Sequence, residues 1–179
     1  MAKAGNTSQI LVAYSTKYGS TREVAEAIAE SLRAASIPVY VQPAREVRTL
    51  EGYRAVVVGT ALRIGHWYKD TDAFLTEHRA ALGALPVAVF ALGPTQGSPE
   101  DADWKACRAN VDQELATKAA WLKPVAVEMF GGKYDPAKLR GLDKLIAWLP
   151  ASPLKGMPAT DVRDVAAIRG WAESLAVKL

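Results

Sequence analysis

With one cysteine, Cys107, the chain has no internal disulfide available to it. That thiol and the two histidines, His66 and His78, show no metal-ligand spacing, so no metal site is expected. Cys107 falls on a helical pattern and reads as a small core residue. No apolar run approaches the length that crosses a bilayer. Met1 to Gln9 is polar and lacks the apolar core of a secretory signal. A cytoplasmic protein is expected, with peripheral contact at the inner face of the cell membrane left open. Excess charge is small, at a formal +3. It is either a solvated Lys/Arg surplus or a mild bias towards an anionic ligand, membrane surface or acidic partner. There is no dense basic stripe and no aromatic–basic interleaving, so no nucleic-acid partner is expected. Neither an internal repeat nor a linker interrupts residues 1–179, which read as one domain.

Half the residues are apolar, a globular composition. Ile10 to Tyr14 is apolar without alternation and reads as a strand buried on both faces. A helix follows, with Ser20 and Glu23 spaced as a capping box and Val24, Ala25, Ile28, Leu32 and Ala35 at helical intervals. Val39 to Val41 is a second strand, nearer a sheet edge because Pro38 precedes it. Ala55 to Val58 is a third. Asp70 is placed to cap the next helix, with Ala73, Phe74, Leu75 and Leu82 on its apolar side. Pro86 to Leu92 is a fourth strand; Trp104, Cys107, Val111, Leu115 and Ala119 mark a helix; Pro124 to Phe130 is a fifth strand, ended by Gly131 and Gly132. Asp161 opens the last helix, with Val162, Val165, Ile168, Ala172 and Leu175 on one stripe. Such alternation predicts an α/β fold with a five-stranded parallel sheet in the order 2-1-3-4-5, covered on both faces. A ligand then belongs at the carboxyl ends of strands one and three, where the loops 15–21, 60–68 and 93–99 meet.

The first of these loops carries hydroxyls at Ser15, Thr16, Ser20 and Thr21 around Gly19, with Lys17 and Tyr18 between them. Backbone N–H groups, side-chain O–H groups and a helix N-terminus converging on one point are what a phosphate requires. A hydroxyl-rich turn without a ligand has the same composition. The Gly-x-x-x-x-Gly-Lys-Ser/Thr loop and the three-glycine dinucleotide pattern are both missing. Strands one and three end in Tyr14-Ser15 and Gly59-Thr60 rather than in acids, which argues against a phosphate-receiver domain. His66, beside Trp67 and Tyr68, is either a proton donor or a loop histidine bonded to backbone. His78 reads as a half-exposed helix residue with no role. From Lys138 to Pro158, an apolar face (Leu139, Leu142, Leu145, Ile146, Leu149) is accompanied by Lys138, Arg140, Lys144, Lys155 and Trp148. This short basic amphipathic helix could lie on an anionic membrane. It could equally pack on the domain or on a second copy in a homodimer. Pro150, Pro153 and Pro158 make a stiff connection to the last helix.

The run Tyr-Ser-Thr-Lys-Tyr-Gly-Ser-Thr, residues 14–21, resembles the FMN phosphate loop of the flavodoxin family. Residues 59–67, Gly-Thr-Ala-Leu-Arg-Ile-Gly-His-Trp, resemble the corresponding loop of the oxygen-independent, quinone-dependent protoporphyrinogen oxidases, which reads close to Gly-Ala-Ser-Ile-Arg-Tyr-Gly-His. The resemblance implies a flavodoxin-like three-layer α/β/α sandwich that binds FMN without a covalent bond. FMN suits the chain better than FAD because one phosphate-binding turn is visible. Ser15, Thr16, Lys17, Tyr18, Gly19, Ser20 and Thr21 would hold the phosphate. Thr60, Ala61, Leu62, Arg63, Ile64, Gly65, His66 and Trp67 would lie along the isoalloxazine ring, and Gly93, Pro94 and Thr95 would form the third flavin loop. Arg63 and His66 are the catalytic candidates. Arg63 would stabilise the reduced flavin or pair with a substrate carboxylate, or it is a surface Arg capping a loop.

Two features depart from carrier flavodoxins: residues 93–99 contain no aromatic ring to sandwich a flavin, and the chain is not acidic. Both point to a flavin with one face open to a substrate. In the oxidases the region before the last helix is longer and more basic. The implied activity is oxidation of a small-molecule reductant, such as a porphyrinogen, with a quinone or redox partner protein as acceptor. The alternatives are a flavodoxin-type electron carrier and a cofactor-free flavodoxin-like domain.

Overall fold

Alternate side chains of each strand point to opposite faces of a sheet, so a strand that is apolar at every position needs a core on both sides. The computed structural model, which describes residues 9–63, 65–152 and 154–179, shows those two cores. Residues 1–8, Ile64 and Pro153 lie outside the described residues, and with them the expectations for the polar N-terminus, for Ile64 beside a flavin ring and for Pro153 as a stiffener. Ile10, Val12 and Tyr14 of β1 (Gln9–Tyr14) pack under α1 (Ser20–Ala34) and α6 (Val165–Leu175). Leu11 and Ala13 point the other way, to a core shared with Phe74 and Leu75 of α2 (Lys69–Glu77) and Leu82 of α3 (Arg79–Leu82). The same division runs through β3 (Tyr53–Arg63) and β5 (Val87–Leu92): Val57 and Phe90 face the first core, Val56, Val58 and Val89 the second.

With β2 (Val39–Pro43), β4 (His66–Trp67) and β6 (Ala126–Phe130), the sheet runs in the order β2-β1-β3-β5-β6, with β4 attached to β3. The five long strands are parallel, and their order is the one expected once the short β4 is set aside. This is a three-layer α/β/α sandwich. The remaining elements are α4 (Ala102–Lys118), β7 (Lys133–Tyr134), α5 (Gly141–Trp148) and β8 (Thr160–Asp161), with β7 and β8 paired antiparallel. Among the described residues no helix is long and apolar enough to cross a membrane.

Several local expectations are corrected. Ser20 and Glu23 form no capping box: Gly19, left-handed at φ 92°, takes the N-cap place. Glu23 is drawn instead to Lys133 and Arg163. Asp70 lies inside the first turn of α2 rather than capping it, because Tyr68 occupies the cap position. The expected single helix here breaks at His78 into α2 and α3, and Ala73 is exposed. His78 itself is buried, against the Phe74 ring and 3.3 Å from the Val47 carbonyl oxygen. Asp161 belongs to β8; the last helix is capped by Asp164, whose Oδ1 accepts from the Ala167 N–H at 3.0 Å. Val165 is exposed and so lies off the buried stripe.

Close strand approach leaves one glycine no alternative. A Cβ at Gly59 would lie 2.2 Å from Cζ of the fully buried Phe90. Gly59→Ala should therefore lower stability by about 1–3 kcal/mol through overpacking. A shifted denaturant midpoint checks this; an unchanged midpoint would show that the β3–β5 contact is looser than described.

Candidate functional site

The carboxyl ends of β1, β3 and β5 lie side by side, and backbone bonds tie their loops together. Ser15 N–H donates to Gly59 O at 2.8 Å, and Gly93 N–H to Phe130 O at 2.8 Å. Beneath the first two loops three hydroxyls meet out of contact with water. Thr71 Oγ1 on α2 is 3.0 Å from Ser15 Oγ and 2.9 Å from Thr60 Oγ1. The side chains of Ser15 and Thr60 are thus both engaged with the Thr71 hydroxyl rather than presented outward.

The turn above them is built to leave donors free. Thr16 Oγ1 accepts from Gly19 N–H at 3.0 Å, which closes the loop. Gly19 then bends the chain into α1, whose first intrahelical bond runs from Glu23 N–H to Gly19 O. The N–H groups of Ser20, Thr21 and Arg22 have no partner inside the helix. Thr21 is fully buried, and its Oγ1 has no hydrogen-bond partner among the described residues. A buried hydroxyl without a partner is costly, and an anion at the helix N-terminus would satisfy both it and the free N–H groups.

A cleft of 420 Å³ opens beside this turn. Thr16 and Lys17 line one wall, Arg63, His66 and Trp67 another, with Arg45, Tyr68, Lys69 and Asp70 completing it. Arg63 and His66 face each other in the register of the β3–β4 ribbon, which turns through Gly65 at φ 77°. Their side chains go to different acids. Arg63 reaches Asp143 of α5 at 2.5 Å, and the same carboxylate takes Lys17 Nζ at 2.6 Å and the Tyr18 hydroxyl at 2.5 Å. Hydrogen bonds from Lys17 and Tyr18, helped by the Arg63 charge, hold the Asp143 carboxyl below its ordinary range. The bond to Asp143 raises Lys17 in turn. Burial first, and then Asp143, raises the Tyr18 phenol.

His66 Nδ1 lies 3.0 Å from Oε1 of the buried Glu114 on α4. Glu114 also accepts from the Trp67 N–H at 3.2 Å and pairs with Lys118 at 2.8 Å. Burial pushes the Glu114 carboxyl up, but the bonds from Lys118, His66 and Trp67 outweigh it and leave the group below its usual range. The sequence reading missed Asp143, Glu114 and Arg45. A signal existed for two of them: Asp143 is the sole acid in 138–158, and Glu114 falls between Val111 and Leu115 on a helix face that packs inward.

The third loop stands apart. Gly93, Pro94 and Thr95 are not in the lining of the Lys17–Arg63 cleft. They are fastened to the end of β6, where Gly132 N–H donates to Pro94 O at 2.7 Å. Trp104, the nearest ring, is buried and spends its Nε1–H on Gln96 O at 2.8 Å, so it props the loop from below. A larger cleft of 480 Å³, between Trp104, Arg108, Met129 and Ala167, contains none of the first two loops.

Comparison with known proteins agrees with this fold. Residues 11–161 match the family model of the flavodoxin domain. A protoporphyrinogen IX dehydrogenase (quinone) of Escherichia coli strain K12 is 29% identical over 92 residues, covering 50% of this chain and 51% of that protein. An NAD(P)H dehydrogenase (quinone) of Paraburkholderia phymatum is 32% identical over 116 residues, covering 50% of this chain and 58% of that protein. The chain thus spans little more than half the length of the curated relatives it matches. Among solved structures, oxidised flavodoxin 1 of Bacillus cereus superposes with a TM-score of 0.58 at 13% identity, over 96% of this chain and 99% of that one. A flavodoxin from the domain Archaea superposes at 0.56 with 16% identity, over 95% and 97%. These likenesses carry the fold.

The Asp143 contacts have a measurable sign. A carboxyl depressed in the folded state contributes stability that is fully present above its unfolded value, about 4. The contribution is lost as pH falls through the lower, folded value. Carbon NMR of the Asp143 carboxyl should show a midpoint below that of an unstructured Asp, moved upward when Lys17 and Arg63 are both changed to Ala. A midpoint at the ordinary value would remove the contacts.

Proposed function

This chain belongs to the flavodoxin-domain family, and from that premise we propose that it is an FMN-dependent oxidoreductase taking electrons from a small porphyrinogen-like reductant and passing them to a quinone. The observation that carries the reading is the cleft that joins Thr16 and Lys17 of the hydroxyl turn to the Arg63–His66 ribbon, with Arg45 and Lys69 adding positive charge to its lining. The flavodoxin fold implies a flavin, and the residues present fit FMN in particular. The unpartnered Thr21 Oγ1 and the free N–H groups at the start of α1 match a terminal phosphate. The relative from Escherichia coli is named for protoporphyrinogen IX and a quinone, which supports the substrate class.

FMN, when bound, supplies the electron-accepting ring. The chain's own groups do the rest. Thr16 braces the turn, and the α1 N-terminus holds the phosphate. Arg63, within the cleft, offers a fixed positive charge to a ring oxygen or to a substrate carboxylate. His66 gives its Nδ1 side to Glu114, which leaves Nε2 as the basic atom of an exposed imidazole, suited to take up a proton released by the substrate. Each two-electron step releases two electrons and two protons, which reduction of one quinone to a quinol consumes; a porphyrinogen reaches a porphyrin in three such steps, with three quinones reduced. Trp104 is committed beneath its loop and 93–99 has no ring, so the third loop brings no aromatic side chain to compete with a substrate.

Two measurements test the reading. Protein mixed with FMN and desalted should keep a flavin spectrum. Thr21→Val, which keeps the buried shape but removes the hydroxyl, should weaken FMN roughly tenfold while leaving the ligand-free melting temperature unchanged or higher. Retained FMN with unaltered affinity in Thr21→Val would move the phosphate elsewhere, and no retention at all would leave a cofactor-free domain. The loaded protein, kept anaerobic with protoporphyrinogen and a menaquinone, should form protoporphyrin above a protein-free control. Oxidation of NAD(P)H in place of the porphyrinogen would reassign the reductant to the class named for the Paraburkholderia relative. Turnover of neither would favour an electron carrier.

A further inference from the structure

The segment 138–158 contains Lys138, Arg140, Lys144 and Lys155 against the single acid Asp143. Its net +3 equals the +3 of the entire chain, so the rest of the sequence sums to zero. The segment also collects apolar surface. Leu142, Leu145, Ile146, Trp148 and Leu149 are five of the nine large apolar side chains that stand exposed among the described residues. On α5 the positions 142, 145 and 146 fall on one stripe at helical spacing, and Leu149 follows as the C-cap. Asp143 and Ala147 share another face, and they are the two half-buried positions of the helix.

Asp143 explains why the helix sits this way round. Its carboxylate turns inward to Lys17, Tyr18 and Arg63, so the segment's one negative charge is spent against the body of the protein. What remains outward is apolar and cationic. We infer that α5 docks the protein on an anionic lipid surface, with Leu142, Leu145, Ile146 and the exposed C-cap residue Leu149 entering the headgroup boundary and Lys138, Arg140, Lys144 and Lys155 meeting lipid phosphates. Trp148, 82% exposed beside the stripe, is the side chain that favours such a boundary. A second copy of the chain is the poorer occupant, because a two-fold contact would set one cationic patch against another. The inference stands on α5 alone and does not depend on the flavin reading.

Sedimentation of the full chain with lipid vesicles tests it. Vesicles mixing phosphatidylcholine with phosphatidylglycerol should carry the protein down, vesicles of phosphatidylcholine alone should not, and raised salt should release it. Lys144→Glu should weaken binding roughly tenfold or more, and Trp148→Ser also by roughly tenfold. Both side chains are exposed, and an unchanged far-UV circular dichroism spectrum shows that each variant folds. Failure to sediment with anionic vesicles would overturn the inference. So would binding that ignores Trp148→Ser, which would be surface charge alone, or a dimer that Leu145→Glu dissociates, which would mean a second copy covers the stripe.

Discussion

Burial of β1, β3 and β5 on both faces is the constraint from which the molecule follows. Strands with no polar side demand helices above and below, and parallel strands demand that each connection cross over the sheet. Every return therefore delivers a loop to the same edge. The first two loops bring in the positive charge of Lys17 and Arg63, and the third brings close-packed glycines propped by Trp104 of α4. The buried hydroxyls of Ser15, Thr60 and Thr71 then join the first two loops to α2, so the cleft above them rests on a fixed floor.

The cleft is organised by two acids that come from far along the chain. Asp143 gathers Lys17, Tyr18 and Arg63; Glu114 gathers His66, the Trp67 backbone and Lys118. Each carboxylate is held ionised by its partners. Neither comes from the loops that line the cleft, and each fixes the direction of one catalytic candidate.

That division also separates what was legible in the sequence from what was not. Ile10–Tyr14, Ala55–Val58 and Val87–Leu92 are continuous apolar runs, and local composition is enough to read them as buried parallel strands. The hydroxyl turn was legible for the same reason, being a run of neighbours. Helix starts were shifted because several polar residues compete for one cap: Gly19 displaces Ser20 through its left-handed backbone, and Asp164 displaces Asp161, which pairs in β8. His78 was misplaced because its burial depends on Phe74 and Val47, one of them on a distant loop. Asp143 and Glu114 stood out in their segments, but their roles were not legible, because their partners lie 47 to 126 residues away for all but Lys118 and no periodicity records such pairing. The amphipathic stripe of α5 was plain in its spacing. That it faces outward was not, since spacing shows that a face exists and not what covers it.

Asp143 holds α5 with the same cations that an incoming anion would need. Lys17 and Arg63 cannot give their best hydrogen bonds to a ligand and to this carboxylate at once. A ligand that recruits them must therefore loosen the helix, and by thermodynamic reciprocity anything that draws the helix away must leave those cations more available. Cleft and helix are two ends of one balance, with a single carboxylate at its pivot.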